Sequence, residues 1–582
     1  MAVMMRSRLA GMGSALPALS FLVLFFCVPV AEILLNSIFD SGNRLSMMEF
    51  QRLAGHSVYI RVLGNTFLIS FLTALGCVVL GYPIAYFLSR LPEGSRGRWL
   101  VWLLIPFWTS YLVKTFAWIL LLSRTGVFGT FLMWSGLDAS PSALAPSMGG
   151  VLVGMIHGML PLAVMTLLPI MQGIGSQYTL AAETLGATRT ESFFTVYLPL
   201  SMPGVAAAAL LVFITSLGFF IVPALLGTPS DTMIAQLVIS SILELFNVHF
   251  AGALSVLLLA CAVVVFLLYD RLVGLSTLGG GDTARSPGAT RFIRVLIVVG
   301  RFFSRLSALL PARRALVGAD ERHARGLRLY AWLLVLFLLL PIVVILPIAF
   351  TDSSFLAFPP TGFSLRWLEE FFGSPIWRAA LLRSLGVATL TAFASVALGF
   401  GAALSLVRFA PALAKTVFAF LIAPLIVPRI VTAVGLFYLY SRIGLAGTNA
   451  GLVIGHTVLA IPYVVVTMAA ALKNFDWRLV DAAHTLGASS ARRLTTILLP
   501  LLKPSLVASF LFAFLVSFDE LTIAIFVSGG LKTTLPKQMW DDMLLSANPM
   551  LAAVSFVLVA AITVLVLSLS FIRRNREQHT HA

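Results

Sequence analysis

Long apolar segments dominate the chain, and short polar stretches separate them. Each segment is close to the ~20 residues that a helix needs to cross a bilayer. Because backbone polar groups inside lipid must bond within their own segment, we expect these segments to be helices. The pattern predicts an all-α membrane protein with about 12 transmembrane helices. The segments run near Leu16–Ile38, Thr66–Leu88, Leu100–Leu122, Met148–Ile170, Pro203–Leu226, Phe250–Val273, Tyr330–Phe350, Leu385–Val407, Thr416–Tyr440, Leu452–Leu472, Pro504–Val527 and Met550–Ile572.

The second six segments repeat the first six. Ser123–Gly129 reads Ser-Arg-Thr-Gly-Val-Phe-Gly, and Ser441–Gly447 reads Ser-Arg-Ile-Gly-Leu-Ala-Gly at the same place in the order of segments. An even number of spans in each half makes the two copies parallel repeats. The sequence therefore predicts a first transmembrane half at residues 1–273 and a second at residues 327–582.

Residues 274–326 are predicted to form a cytoplasmic linker between the halves. The linker contains Gly279–Gly281, which is typical of a flexible chain. It also contains the apolar run Arg291–Leu310, whose arginines at 291, 294, 301 and 305 fall on one stripe of a helix. We expect an amphipathic helix lying in the membrane surface. The alternative is a further span, although so many arginines would be costly in lipid.

Composition and charge agree with this reading. Only 11% of the 582 residues are charged and 59% are hydrophobic, whereas soluble domains carry about 25% charged residues. The mean hydropathy is +1.00. The formal net charge is +16, and most basic residues lie in short loops. The excess of Lys and Arg in alternate loops predicts that both termini lie in the cytoplasm. Three cysteines, Cys27, Cys77 and Cys261, lie in apolar runs without metal-ligand spacing.

A loop motif occurs once in each half, after the fourth span. The first copy reads Leu-Ala-Ala-Glu-Thr-Leu-Gly-Ala from Leu180, and the second reads Asp-Ala-Ala-His-Thr-Leu-Gly-Ala from Asp481. The two motif glycines, Gly186 and Gly487, lie 301 residues apart. The paired alanines leave room for close approach by a partner, and a glycine there can end a short helix. Pro199 and Pro500 then mark the return of the chain to the membrane.

This motif resembles the EAA loop of binding-protein-dependent ABC importer permeases. The second copy has Asp481 where the family has glutamate, whereas the first has Leu180 there and Glu183 three residues later. The resemblance implies the type I ABC importer fold, with both permease halves fused, in the inner membrane of a bacterium. It implies that the loops are coupling helices that dock into two copies of an ABC ATPase subunit, and that a periplasmic substrate-binding protein delivers the substrate. The residues that it assigns to ATPase coupling are Ala181, Ala182, Glu183, Gly186, Pro199, Asp481, Ala482, Ala483, Gly487 and Pro500.

The chain contains no Gly-x-x-x-x-Gly-Lys-Ser/Thr sequence, which is the phosphate-binding loop of many ATPases. We therefore expect ATP and Mg²⁺ to bind to the separate ATPase subunits. For this chain we predict a transport subunit rather than an enzyme, with no catalytic residue, cofactor or metal of its own.

The substrate class is indicated by further resemblances. Ser517–Leu521, Thr533–Pro536 and Asn548–Ser555 resemble the second permease of spermidine/putrescine importers, and Pro106–Lys114 resembles the first. The wider group also imports opines and aminoethylphosphonate. Ionisable residues inside spans are costly and therefore point to function. Besides Glu32, those in this chain are Lys114, Arg429, Asp519 and Glu520, which we assign to the substrate pathway or its gate.

Other interpretations stay open. Arg429 could suit a zwitterionic or carboxylated substrate, could pair with Asp519 or Glu520 as internal structure, or could act in gating without touching substrate. A ferric-iron-type ABC importer permease and a proton-coupled secondary transporter of two parallel repeats are alternative functions. His157 and His456, in the fourth span of each half, are expected to be buried structural residues. Gly150, Gly154 and Gly158 form a ridge typical of helix packing.

Overall fold

A computed structural model describes residues 13–39, 44–124, 126–136, 144–272, 319–356, 358–360, 362–530, 532–545, 548–561 and 563–564. Helices joined by short loops make up nearly all of this part of the chain, which confirms the all-α prediction. The predicted amphipathic helix Arg291–Leu310 lies outside the described residues. The division into residues 1–273, 274–326 and 327–582 stays a prediction.

The first half contains helices α1–α14, with π-helical turns at Val23–Cys27 and Phe193–Tyr197 and a 3₁₀ turn at Pro229–Asp231. The helices are α1 (Leu16–Leu22), α2 (Val28–Ile38), α3 (Met48–Gly55), α4 (Ser57–Ser89), α5 (Glu93–Trp108), α6 (Tyr111–Leu122), α7 (Val127–Trp134), α8 (Met148–Gln172), α9 (Ser176–Thr184), α10 (Arg189–Ser192), α11 (Leu198–Leu217), α12 (Ile221–Leu226), α13 (Ile234–Leu243) and α14 (Val248–Leu272).

The second half contains helices α15–α26, with a π-helical turn at Leu494–Leu498. The helices are α15 (Ala319–Ala349), α16 (Arg366–Gly373), α17 (Pro375–Leu406), α18 (Pro411–Ile426), α19 (Arg429–Ile443), α20 (Asn449–Lys473), α21 (Arg478–Thr485), α22 (Ser490–Arg493), α23 (Leu499–Phe518), α24 (Thr522–Val527), α25 (Leu535–Leu545) and α26 (Met550–Ala561).

The described residues include 10 helices long and apolar enough to cross a membrane, or 11 if the bent pair α18–α19 is one span. The predicted spans at 100–122 and 416–440 are not continuous helices, because each is interrupted between two helices, at Thr109–Ser110 and at Val427–Pro428. The predicted spans at 203–226 and 504–527 are interrupted too, since α11 and α23 end before the short helices α12 and α24. The last predicted span is described only as far as α26 and residues 563–564.

Both interruptions of the third span of a half follow a proline near the end of a helix. Pro106 lies inside α5 and Pro424 lies inside α18. A proline donates no backbone hydrogen bond and crowds the preceding turn, so it weakens a helix at that point. The helix α19 leaves the break at 92° to α18.

The helix boundaries preserve the repeat found in the sequence. Positions 93, 108 and 111, which bound α5 and α6, correspond to 411, 426 and 429, which are 318 residues further along. From the fourth span onward the correspondence is 301 residues, as for α8 and α20 at positions 148 and 449. This register identifies equivalent side chains in the two halves.

The chain divides into two compact units, and each takes helices from both halves. Unit 1 contains residues 1–59, 234–260 and 369–547, and unit 2 contains residues 60–233, 261–368 and 548–582.

Unit 1 packs the first span of the chain against helices of the second half. Leu22 and Phe26 share one apolar cluster with Leu421 and Val458. At Gly435 in α19 a Cβ atom would lie only 2.8 Å from the backbone of Pro29. The glycine therefore lets α2 and α19 approach closely, which is how small residues act in packed membrane helices.

Unit 2 packs the first span of the second half against helices of the first half. Leu334 and Leu338 of α15 share an apolar cluster with Leu103 and Met159. The rings of Trp332 and Trp99 lie 4.7 Å apart. Each unit is thus completed by a helix from the other half of the sequence.

Candidate functional site

The two motif loops have the same backbone geometry. In the first, the amide of Gly186 donates to the carbonyl of Glu183 at 3.0 Å, and the amide of Ala187 donates to Ala182 at 3.0 Å. In the second, Gly487 donates to His484 at 3.0 Å, and Ala488 donates to Ala483 at 2.9 Å. This pair of bonds is the Schellman arrangement, which satisfies the last carbonyls of a helix.

Each loop depends on its glycine. Gly186 has φ +93° and Gly487 has φ +79°, in the left-handed region that glycine adopts without steric cost. Beyond each glycine a single turn of helix and a π-helical turn lead to the next span, and Pro199 and Pro500 lie in the first turn of α11 and α23.

The motif helices α9 and α21 lie largely at the surface. Ala181, Asp481 and Ala482 are exposed, whereas Ala182, Glu183 and Ala483 are half-buried. No residue of α21 is buried. A helix with so little packing of its own presents most of its surface to solvent or to a partner.

One leucine in each loop was missed by the sequence reasoning. Leu185 is 89% exposed and Leu486 is 86% exposed, and both directly precede the glycine of the turn. The Thr-Leu-Gly sequence shared by both copies was the available signal. Besides the paired alanines, the two loops thus share a highly exposed leucine, whereas their charges differ, with Glu183 in the position of His484.

The break between α5 and α6, in unit 2, holds Lys114. This lysine is 3% exposed. Its Nζ donates to the carbonyl of Pro106 at 3.2 Å and lies 4.0 Å from the centroid of the Tyr111 ring. The Tyr111 ring in turn contacts Phe219, with 5.0 Å between centroids. Lys114 therefore links the two sides of the break.

At the break between α18 and α19, in unit 1, the ionisable groups are an arginine and a carboxylate. Arg429 is the first residue of α19 and is half-buried. It acts electrostatically on Glu520, which is 1% exposed. Oε1 and Oε2 of Glu520 accept from the amide of Ile523 at 3.0 and 2.9 Å, and Oε2 accepts from Ala524 at 3.2 Å. The carboxylate thus caps the start of α24, where the helix dipole favours a negative charge.

The environment of Glu520 includes a buried histidine. Nε2 of His456 lies 3.5 Å from Oε2 of Glu520, and Nδ1 of His456 lies 2.8 Å from the hydroxyl of Ser517. Three of the predicted pathway residues lie in unit 1, namely Arg429, Asp519 and Glu520. The fourth, Lys114, lies in unit 2. The roles of these residues in the substrate pathway or as internal structure stay predictions. Asp519 is the more exposed of the two acids.

The remaining residues singled out in the sequence contact neighbouring helices within their own unit. His157 is buried in unit 2, with Nε2 3.1 Å from the carbonyl of Leu338. At Gly158 a Cβ atom would lie 2.7 Å from the Tyr111 ring, so this glycine makes room for the aromatic side chain. Glu32 forms a 2.6 Å ion pair with Arg442 inside unit 1.

Comparison with known proteins gives one family match. The family described as "Binding-protein-dependent transport system inner membrane component" matches residues 395–580.

Several curated relatives are permeases. The chain is 30% identical over 257 residues to the spermidine/putrescine transport system permease protein PotB of Escherichia coli (strain K12), with 43% of this chain and 93% of PotB covered. It is 31% identical to PotB of Salmonella typhimurium (strain SL1344), covering 43% of this chain and 89% of that protein. It is 33% identical over 233 residues to the putrescine transport system permease protein PotI of Escherichia coli (strain K12), covering 39% of this chain and 83% of PotI.

One solved structure that is similar is a bacterial alginate ABC transporter in complex with an alginate pentasaccharide-bound periplasmic protein. The TM-score is 0.38 at 20% sequence identity, with 45% of this chain and 93% of that chain covered.

Proposed function

We infer the function of this chain from the family to which it belongs, the binding-protein-dependent transport system inner membrane components, which are the membrane-spanning permeases of ABC importers. The chain is a multi-pass inner membrane permease. We propose that it carries both permease halves of one importer. PotB and PotI are each matched over most of their length by less than half of this chain, which supports that proposal.

The twin loops carry the proposal for energy coupling. Helices α9 and α21 share the same Schellman turn and the same exposed leucine. We propose that each docks into a groove on one of two copies of an ABC ATPase subunit, on the cytoplasmic side, where both termini also lie. ATP and Mg²⁺ are then held by the ATPase, and its closure moves both loops.

The names of the relatives support a polyamine as the substrate, because PotB and PotI are spermidine/putrescine and putrescine permeases. We propose that a periplasmic binding protein delivers a small organic amine of this class. A zwitterion such as aminoethylphosphonate or an opine is the second candidate. Arg429 favours it, because a guanidinium at the start of a helix suits an anionic group.

Replacement of the turn glycines tests the coupling. Gly487→Val forces a β-branched residue into the left-handed region, which costs about 1–2 kcal/mol locally. We expect the Gly487→Val and Gly186→Val variants to insert into the membrane normally. Little of the ATPase subunit should copurify with them, and most substrate uptake should be lost. Gly386→Val is the matched control, because Gly386 lies in helix α17 with open space around it and no positive φ. Normal uptake and normal ATPase retention by Gly487→Val would contradict the proposal.

The substrate is tested by uptake in cells that express the complete system. Labelled putrescine and spermidine are compared with aminoethylphosphonate and an opine, with and without this chain. If cells without this chain lose the uptake of putrescine and spermidine only, the polyamine proposal is supported. Loss of zwitterion uptake alone replaces it by the second candidate.

A further inference from the structure

At the break between α5 and α6, an ammonium group contacts a carbonyl oxygen and the face of an aromatic ring. Nζ of Lys114 donates to the carbonyl of Pro106 at 3.2 Å and faces the Tyr111 ring at 4.0 Å from its centroid. A carbonyl oxygen and the face of an aromatic ring are the uncharged groups that recognise an ammonium ion. The pair would serve any alkylammonium, whether it belongs to Lys114 or to another molecule.

Both partners are held in place by contacts that do not involve Lys114. The hydroxyl of Tyr111 donates to the carbonyl of Gly158 at 3.3 Å, and its ring packs against Phe219 at 5.0 Å. Gly158 leaves the space that the ring occupies, since a Cβ there would lie 2.7 Å from it. Pro106 lies in the last turn of α5, where carbonyls lack partners within the helix and the dipole is negative. The site is therefore preorganised for a cation.

The repeat shows that this arrangement is not required by the fold. At the equivalent positions of the second half, Arg429 replaces Tyr111, Thr432 replaces Lys114 and Leu459 replaces Gly158. Pro424 nevertheless preserves the break. A helix can therefore be interrupted here without a lysine, a tyrosine or the glycine that accommodates its ring.

We propose that Tyr111 and the carbonyl of Pro106 form a binding site for a primary ammonium group of the substrate, and that Lys114 is the built-in occupant which the substrate displaces. The lysine side chain ends in the same aminoalkyl group as a linear diamine. Between transport events it keeps the buried carbonyl paired, since an unpaired carbonyl inside the membrane is costly. This inference rests on the proposed amine substrate and adds the position where one of its ends binds.

Removal of the occupant provides the test. The full-length chain and its Lys114→Met variant are reconstituted in nanodiscs, and the thermal unfolding temperature is followed against putrescine concentration, with 1,4-butanediol as the uncharged probe of equal length. We expect the half-saturating putrescine concentration to fall about tenfold in Lys114→Met, because the tethered competitor is gone. Lys114→Arg retains the cation and should behave as wild type.

The tyrosine supplies the second arm. Lys114→Met/Tyr111→Leu should lose the gain in putrescine affinity. Equal putrescine dependence in wild type and Lys114→Met, or a gain that survives removal of the Tyr111 ring, would overturn the proposal and leave Lys114 as a cap on α5. If Lys114→Met does not fold, Tyr111→Leu is compared with Tyr111→Phe in transport. The KM for putrescine should rise for Leu and stay near wild type for Phe, and equal values would overturn the site.

The two proposals fail separately. If wild-type cells import no polyamine although Lys114→Met gains putrescine binding, the polyamine proposal is wrong, and the break is an ammonium-binding site whose ligand is not a transported polyamine. If wild-type cells import putrescine but Lys114→Met binds it no better, the site is wrong and the polyamine proposal stands.

Discussion

Equivalent positions of the two halves are held by different chemistry. At the broken third span of the first half, Tyr111 packs on Phe219, whereas the equivalent positions in the second half hold Arg429 and Glu520. The backbone breaks at the same point in both. The break itself is therefore a property of the fold, and its side chains are free to differ.

The first spans show the same difference. In unit 2, α15 contacts α5 through the rings of Trp332 and Trp99, whose centroids lie 4.7 Å apart. In unit 1, α2 contacts α19 in part through the 2.6 Å ion pair of Glu32 with Arg442. Charged residues in a membrane protein are costly to insert, whereas aromatic residues are not. Aromatic contacts pack unit 2 at these two places, although its break also contains the buried cation of Lys114.

The largest effect is expected at the buried acid. Glu520→Leu removes the carboxylate that accepts from the amides of Ile523 and Ala524, and with it a negative charge that acts on Arg429. Each buried donor left without an acceptor costs about 1–3 kcal/mol. The matched variant Phe219→Leu, at the equivalent position, exchanges one apolar side chain for another and should cost about 1 kcal/mol. Unfolding of the purified chain in detergent, followed by tryptophan fluorescence, compares the two.

The double variant refines this comparison. Arg429→Met/Glu520→Leu removes the charge left behind by the single change, so it should recover part of the lost stability. Equal losses for Glu520→Leu and Phe219→Leu would show that the buried carboxylate contributes no more to the fold than the aromatic side chain at the equivalent position.

The sequence predicts some features of the two halves and not others. Apolar run lengths predict the spans, and the repeated motif predicts two equivalent loops, because both signals are local. The predicted spans omit the breaks at Thr109–Ser110 and Val427–Pro428 because the hydropathy of an apolar window does not report a bend. The local signal of each break is the proline that precedes it, Pro106 or Pro424.

The sequence does not show which helices pack against each other. The first span of each half could have packed within its own half, and no periodicity excludes that. Nor does the sequence Asp519-Glu520 reveal that the second carboxylate accepts the amides at the start of α24. These facts depend on which helices pack together, and they become predictable only when the fold is known.

A smaller effect, confined to assembly, is expected at the loops. Leu486→Ala and Leu185→Ala should leave the unfolding temperature unchanged, because both side chains are exposed. If the leucines anchor the ATPase, each change should weaken its binding by about 2 kcal/mol, or roughly 30-fold. The exchange variants Glu183→His and His484→Glu serve as controls, since the two loops do not share that charge. ATPase retained on affinity purification measures the difference, and retention that follows the charges instead would refute the leucine anchor.

The smallest effect is expected at the ion pair of the first span. Arg442 is 67% exposed and Glu32 is 13% exposed, so solvent screens the attraction from one side. Exposed pairs contribute about 0–1 kcal/mol, and we expect Glu32→Gln to lower unfolding stability by no more than that. The charge-exchanged variant Glu32→Arg/Arg442→Glu should restore what the single change loses. A loss well above 1 kcal/mol for Glu32→Gln, without recovery on exchange, would mean that Glu32 stabilises unit 1 through contacts other than Arg442. The contrast between a charged and an aromatic fastening of the first span would then no longer hold.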